Sequence, residues 1–251
     1  MAEKQLRWKR VLLKLSGEAL ADKESGSLFN SDKVARIAQI IAQMTKEGTE
    51  VAVVIGAGNI WRGAYGKDVR RARADQMGML GTMINCLRLE DAVEKTGTPV
   101  TVMSPVIMNS FAEKYDFRTA CEHLKDGMVV IFGAGLGIPY ITTDTACVVR
   151  AAEIEADIIL MAKNVDGVYT ADPNKDPSAR KYRVISSRQC VDDGLGAIDE
   201  SAALIAAEQD IDAYAFSLSD PENILRVIRG EEIGTFLSSD EETKAELYPE
   251  A

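Results

Sequence analysis

The chain has 251 residues and a formal net charge of −10, from 39 acidic and 29 basic side chains. That balance argues against general nucleic-acid binding, which needs clustered Lys and Arg to neutralise phosphates, but it leaves room for a local basic pocket around a small anion. With 46% hydrophobic and 27% charged residues, the composition is that of a soluble globular protein that can bury its core without disulfides or metal staples.

The segment Met1 to Arg10 is polar and basic, with no apolar core of a signal peptide. No uninterrupted apolar run reaches the ~18–20 residues of a membrane span. A cytoplasmic protein with neither membrane nor nucleic-acid partner is expected. Arg10-Val-Leu-Leu-Lys-Leu15 reads as a buried strand ending at Ser16-Gly17. Ser31 or Asp32 could cap a helix running to about Lys46, with Val34, Ile37, Ile40, Ile41 and Met44 on one face. Val51 to Ile55 is a second strand, and a helix is predicted from about Ala74 to Lys95. Val100 to Met103 and Met128 to Phe132 read as strands, a helix from about Asp144 to Ile154, and Asp157 to Met161 as a further strand. A helix near Asp199 to Glu208, a strand near Ala213 to Phe216 and a short helix capped by Ser219 or Asp220 follow, with Pro221 in its first turn. The acidic stretch Ser238 to Ala251 is expected to fray. Near-continuous β-branched strands that alternate with helices indicate a parallel sheet covered on both faces. The predicted fold is one α/β domain, a three-layer α/β/α sandwich with a mainly parallel central sheet, its core spanning residues 9–237.

Four strands end in small or glycine-rich loops: Lys14-Leu-Ser-Gly17, Gly56-Ala-Gly-Asn59, Gly133 to Gly137, and Lys163-Asn-Val-Asp-Gly167. In an open parallel sheet, ligands bind beyond such carboxyl ends, and glycine lets backbone N–H groups approach phosphate oxygens. Any one loop could be only a turn. Four on one edge suggest a phosphate site. Neither familiar nucleotide signature is present. Gly66-Lys67 is followed by Asp68, so there is no GxxxxGK[ST], and GxGxxG fails at Trp61 and again at Ile138. The cysteines Cys86, Cys121, Cys147 and Cys190 form no CxxC pair and His123 is the only histidine. A Cys/His zinc site is thereby excluded, and reduced thiols are expected.

Lys14 could stabilise a phosphoryl group in flight or could point to solvent from an edge strand. Arg62, beside the second glycine loop, suits a bidentate grip on phosphate. The run Lys67, Arg70, Arg71, Arg73 is either a solvated face or a flap over the site. Asp75 could cap the helix it opens or accept hydrogen bonds from ribose hydroxyls. Thr142, Thr143 and Asp144 precede a helix; one would cap it, consecutive hydroxyls there could hold phosphate, and Asp144 could orient a lysine by charge pairing.

In order, Lys14-Leu-Ser-Gly17, Val54-Ile-Gly-Ala-Gly-Asn-Ile-Trp-Arg-Gly63, Asp75-Gln-Met-Gly-Met-Leu80, Thr142-Thr-Asp144 and Val165-Asp-Gly-Val-Tyr-Thr-Ala-Asp-Pro173 resemble the amino acid kinase family and, within it, its bacterial UMP kinase branch. The resemblance covers about Lys9 to Leu237. It implies transfer of the γ-phosphoryl group of ATP to UMP, with Mg²⁺ carried by ATP. Lys14, Arg62, Asp144 and Asp199 would be the catalytic group. ATP would meet Lys14, Leu15, Ser16, Gly17, Gly58, Arg62, Lys163 or Asn164, Tyr169 and Asp172. UMP would meet Ala57, Asp75, and Leu136, Gly137, Ile138, Pro139, Tyr140, Ile141, Thr142 and Thr143. A homohexamer with GTP and UTP as effectors is also implied. Ala57 stands where glycine is frequent, and Leu136 and Ile138 where polar residues are common, which makes backbone groups the expected uracil contacts. The competing readings are a family member acting on a carboxylate or carbamate, and a non-catalytic nucleotide-binding or storage protein on the same fold.

Overall fold

A computed structural model describes residues 7–22, 25–61 and 68–249. Its strands are β1 (Arg10–Leu15), β2 (Glu50–Ile55), β3 (Val100–Ser104), β4 (Glu113–Lys114), β5 (Val129–Phe132), β6 (Ile158–Lys163), β7 (Tyr182–Ser186), β8 (Ala213–Ser217), β9 (Thr235–Ser238) and β10 (Glu246–Leu247). They form one sheet in the order β10-β7-β9-β8-β6-β1-β2-β5-β3-β4. From β8 to β4 every neighbouring pair is parallel; β9 runs antiparallel to β8, and β10 antiparallel to β7.

The helices are α1 (Ser31–Lys46), α2 (Arg71–Glu94), α3 (Phe117–Lys125), α4 (Thr143–Glu153), α5 (Ser187–Asp192), α6 (Glu200–Glu208) and α7 (Asn223–Ile228). Strand pleating sends alternate side chains to opposite faces. Val11, Leu13 and Leu15 therefore pack in one core with residues of α1, α2 and α7, such as Ile37, Leu89 and Ile224. Leu12 packs in the other with α3, α4, α5 and α6, through Leu124, Cys147, Cys190 and Ala202. This is the predicted three-layer sandwich. Among the described residues, no helix is long and apolar enough to cross a membrane.

Several boundaries differ from expectation. α1 is capped by Asn30, whose side chain accepts from Lys33 N at 2.9 Å, while Ser31 and Asp32 are its first helical residues. α2 begins at Arg71, so Asp75 lies inside the helix and does not cap it. α7 starts at Asn223 with no side-chain cap; Asp220 instead shapes the preceding turn by accepting from Glu222 N. The acidic C-terminal stretch, expected to fray, adds β10 to the sheet edge and hydrogen-bonds through the Tyr248 hydroxyl to Gly234 O at 2.8 Å.

At the amino end of the parallel strands, Arg10 Nε donates to Glu50 Oε2 at 2.6 Å, both residues being 8% exposed, and Arg10 also donates to Ile154 O. Asp157 Oδ2 accepts from Lys9 N and Arg10 N, each at 2.8 Å. Breaking one half of a buried ion pair strands the other charge in the core. Glu50→Ala is expected to destabilise the fold by about 3 kcal/mol, and adding Arg10→Met to recover most of that loss. Urea unfolding of the single and double variants measures both.

Candidate functional site

β1 lies between β6 and β2, so Lys14 is on the innermost part of the sheet. The edge-strand alternative for this lysine is thereby excluded. Its side chain shares the face of Leu12 and meets the start of α4, where Lys14 Nζ stands 2.6 Å from Asp144 Oδ1. Burial alone would lower the lysine pKa, but the Asp144 carboxylate overcomes it and raises the pKa above the ordinary 10.5. Burial alone would raise Asp144, but Lys14 and Lys163 hold its carboxyl below the ordinary 3.8. Lys163, at the end of β6, donates to Ala197 O; desolvation, with the like charge of Lys14, pulls its pKa down although Asp144 opposes this. Two half-buried ammonium groups thus stand at the strand tips, Lys14 paired with Asp144 and Lys163 held on Ala197 O within the field of the same carboxylate.

Asp199 ties two helix starts together. It caps α6, accepting from Ala202 N at 2.8 Å, and accepts hydrogen bonds from the hydroxyls of Thr142 and Thr145. Thr142 in turn caps α4 by accepting from Thr145 N at 3.1 Å. The start of α4, at Thr143 and Asp144, thereby lines the cleft beside Asp199, and helix N–H groups at such a start favour an anion.

The backbone closes the remaining sides. A Cβ on Gly17 would lie 2.4 Å from Gly56 O and 2.9 Å from Gly58 N, so the first two glycine loops pack backbone to backbone. Asn85, fully buried on α2, donates to Gly56 O at 2.7 Å and exchanges hydrogen bonds with Asn59, fixing the second loop. The loop after β5 has Ala134, Gly135, Gly137 and Tyr140 in the left-handed region, at φ 58°, 56°, 77° and 70°. Each non-glycine residue there costs roughly 1–2 kcal/mol. Ala134 N donates to Thr82 Oγ1 at 2.8 Å, and the buried Arg150 reaches Gly135 O at 3.3 Å with its guanidinium 3.6 Å from the Tyr115 ring centre. Those contacts hold the strained loop in place.

Two clefts result. The first, about 590 Å³, is bounded by Lys14, Gly58, Asp75, Thr142, Asp144 and Asp199, among others. The second, about 470 Å³, is bounded by Lys163, Tyr169, Asp172 and the 193–197 loop, and Gly196 lines both. Each volume suits a small-molecule site.

The model of the amino acid kinase family matches residues 9–217. The chain belongs to the amino acid kinase family. Among solved structures of that kind, it is 40% identical to a UMP kinase from Bacillus anthracis, with a TM-score of 0.91 over 96% of this chain and 99% of the other. A UMP kinase from Ureaplasma parvum is 35% identical, with a TM-score of 0.88 over 93% of this chain and 100% of that one. A uridylate kinase from Archaeoglobus fulgidus is 30% identical, at 0.68 over 91% and 99%.

Within this amino acid kinase site, not all of the residues expected from the sequence are brought together. Ser16, Gly17, Ala57, Gly58, Leu136, Ile138, Ile141 and Thr143 line the first cleft with Lys14, Asp75, Thr142, Asp144 and Asp199. Gly137, Pro139 and Tyr140 do not line it, although Tyr140 N donates to Asp75 Oδ2 at 2.9 Å. The Asp75 carboxylate also takes Arg71 Nε at 2.9 Å, which brings one member of the basic run to the cleft wall. Leu15 is turned away: its side chain is fully buried in the opposite core, and its carbonyl accepts from Gly56 N. Of the Lys163 and Asn164 alternatives, Lys163 lines the second cleft, while Asn164 is exposed and donates to Glu18 Oε2 at 3.1 Å. Arg62, with Lys67, lies outside the described residues. Trp61, Thr82 and the Gly196-Ala-Ile198 turn were not singled out in the sequence. The two glycines at 194 and 196, both at positive φ, are the signal that could have marked that turn.

The Lys14–Asp144 pair sets a pH window. Asp144, depressed in the fold, contributes stability above its unfolded value of 3.8 that is lost as pH falls through its folded pKa. Lys14, raised in the fold, contributes below 10.5 and loses that contribution as pH rises through its folded pKa. Asp144→Asn is expected to cost about 3 kcal/mol near neutral pH by stranding Lys14. The gap from the parent should narrow below about pH 4. Urea unfolding across pH 3 to 9, ~1 pH unit apart, follows the narrowing.

Proposed function

We propose that this chain is a UMP kinase, transferring the γ-phosphoryl group of ATP to UMP to give UDP and ADP in pyrimidine nucleotide synthesis. One observation carries the reading: two nucleotide-sized clefts meet at a floor of strand tips that carries Lys14, paired with Asp144, and Lys163. The UMP kinases of Bacillus anthracis and Ureaplasma parvum match this chain at 40% and 35% identity along nearly their whole length.

UMP would occupy the first cleft, with Asp75 near its ribose and the 136–143 loop around uracil. Asp75 already takes Arg71 and Tyr140 N, but a carboxylate has about four acceptor sites, so capacity for a hydroxyl remains. Leu136 and Ile138 offer apolar side chains there, leaving selection of the base to backbone groups. ATP would lie in the second cleft, its adenosine against Tyr169 and Asp172 and its phosphates reaching Lys163, Lys14 and the Ser16-Gly17 and Gly58 backbone. The nucleophile is a phosphate oxygen of UMP, ionised at neutral pH, so no general base is needed. What remains is alignment and neutralisation of charge. Lys14 would supply a positioned cation, Arg62 a second grip on phosphate, and the helix start after Thr142 its N–H groups. Asp144 and Asp199 would act by holding the lysine and the two helix ends in register.

Among the described residues, no three His, Cys, Asp or Glu side chains gather as a metal cage would require. A Mg²⁺ would therefore be held chiefly by ATP phosphates and water, its preferred partners, with Asp144 and Asp199 the carboxylates at hand. It would supply charge neutralisation on those phosphates.

A homo-oligomer is part of the proposal, a hexamer by resemblance, as is regulation by GTP and UTP. The exposed stripe Met77, Leu80 and Ile84 on α2 supplies an apolar surface for self-association. The four free cysteines suit a reducing compartment, for which we propose the cytoplasm.

A coupled ADP-release assay with UMP, CMP, AMP and acetylglutamate as acceptors tests the function. UMP should be the preferred acceptor; preference for acetylglutamate would favour the carboxylate-kinase alternative, and ATP binding without turnover the storage alternative. Lys14→Ala should lower kcat by roughly 10²–10³, the usual effect of deleting one charge-stabilising donor. Near-parental turnover would remove Lys14 from the catalytic group.

A further inference from the structure

The wall of the second cleft is not held by the parallel sheet. Residues 168–170 pair with residues 180–182 through Thr170 N to Arg180 O at 2.9 Å and Tyr182 N to Val168 O at 2.8 Å. On its other side, the same 180–182 segment receives the C-terminal strand, with Leu247 opposite Tyr182 and Tyr248 N donating to Lys181 O at 3.0 Å. The cleft wall, this middle segment and the tail are thus three adjacent chains.

Side chains link the same three. Tyr169 donates its hydroxyl to Asp166 Oδ1 at 2.8 Å, and Asp166 Oδ2 accepts from Lys181 Nζ at 3.0 Å. Lys181 also donates to Ile233 O at 3.0 Å, and its ammonium stands 5.0 Å from the centre of the Tyr248 ring. The Tyr248 hydroxyl is anchored on Gly234 O, in a segment so close to β8 that a Cβ on Gly234 would lie 2.1 Å from Ala215 O. Ala215 itself lines the second cleft. The ring therefore flanks the Lys181 ammonium, which is itself largely buried, while the Asp166 carboxylate that it pairs with stays half-exposed.

We propose that β10 and Tyr248 form a positioning latch for the second cleft, fixing Tyr169 through Lys181 and Asp166 so that the adenosine site is formed before ATP arrives. The proposal rests on the reading of that cleft as the ATP site. Tyr248 is a positioning residue, since it acts through Lys181 and does not line the cleft. The first cleft contains no residue of this chain of contacts, so the effect is confined to one substrate.

The test compares the full chain with a chain ending at Thr243 and with Tyr248→Ala, titrating ATP and UMP separately by calorimetry and following amide exchange at residues 166–171. If loss of the latch leaves the wall in its binding conformation about a tenth of the time, the apparent Kd for ATP rises about tenfold. UMP affinity should stay within about twofold of the parent, and exchange at 166–171 should accelerate. Unchanged ATP affinity in the shortened chain, or equal weakening of ATP and UMP, overturns the proposal. A full chain that binds no ATP sinks the assignment of the cleft instead. In that case, unchanged exchange at 166–171 in the shortened chain still overturns the latch, and faster exchange there supports it.

Discussion

A charged side chain on an inner strand must be paired, because an isolated ammonium in the interior is far costlier than a buried methylene. The rest of the site is arranged around that requirement at Lys14. The alternation that buries Leu12 under α3 and α4 turns Lys14 to the same layer, so its partner has to come from the first turn of α4. Thr142 starts that helix at the required place, and Asp199 fastens it to α6. One electrostatic demand thereby fixes two helix ends, and the start of α4 lines the cleft where an anion would find its N–H groups. The Asp144 carboxylate also offsets the like charge that Lys14 and Lys163 bring to the strand tips.

Rigidity around this pair comes from close backbone packing. The Gly17–Gly56 approach leaves no space for any side chain, and Asn85 occupies the carbonyl of Gly56 from behind. The positive-φ residues after β5 are held by Thr82 on α2 and Arg150 on α4, one from each helical layer. Such preorganisation matters for phosphoryl transfer, where the protein has little covalent chemistry to perform and much alignment to supply.

The centre of this fold was legible in the sequence because strands buried on both faces must be continuously apolar. β1, β2, β5, β6 and β8 follow that rule. The antiparallel border did not show: β7 and β9 are short, and the half-buried Tyr-Arg-Val of β7 carries no clear period. α3 was readable in principle, since Asp116 caps it by accepting from Arg118 N and Thr119 N. The start of α2 was harder, because Arg70 and Arg71 offer no capping side chain, so Asp75 drew the boundary too late. Glycine loops marked the first cleft, but the 193–198 turn reaches the site only through the packing of α5 and α6. Charge composition misled at the tail, where Leu247 and Tyr248 outweigh the surrounding acidic residues.

The ion pair of Arg10 and Glu50, with Asp157 beside it, occupies the amino ends of β1, β2 and β6, whereas the glycine loops and lysines occupy their carboxyl ends. A length of six-residue strand separates the two sets. The buried ion pair and the groups of the site therefore sit at opposite poles of the same strands. A change at the amino-end pole alters stability without touching any group that lines the clefts.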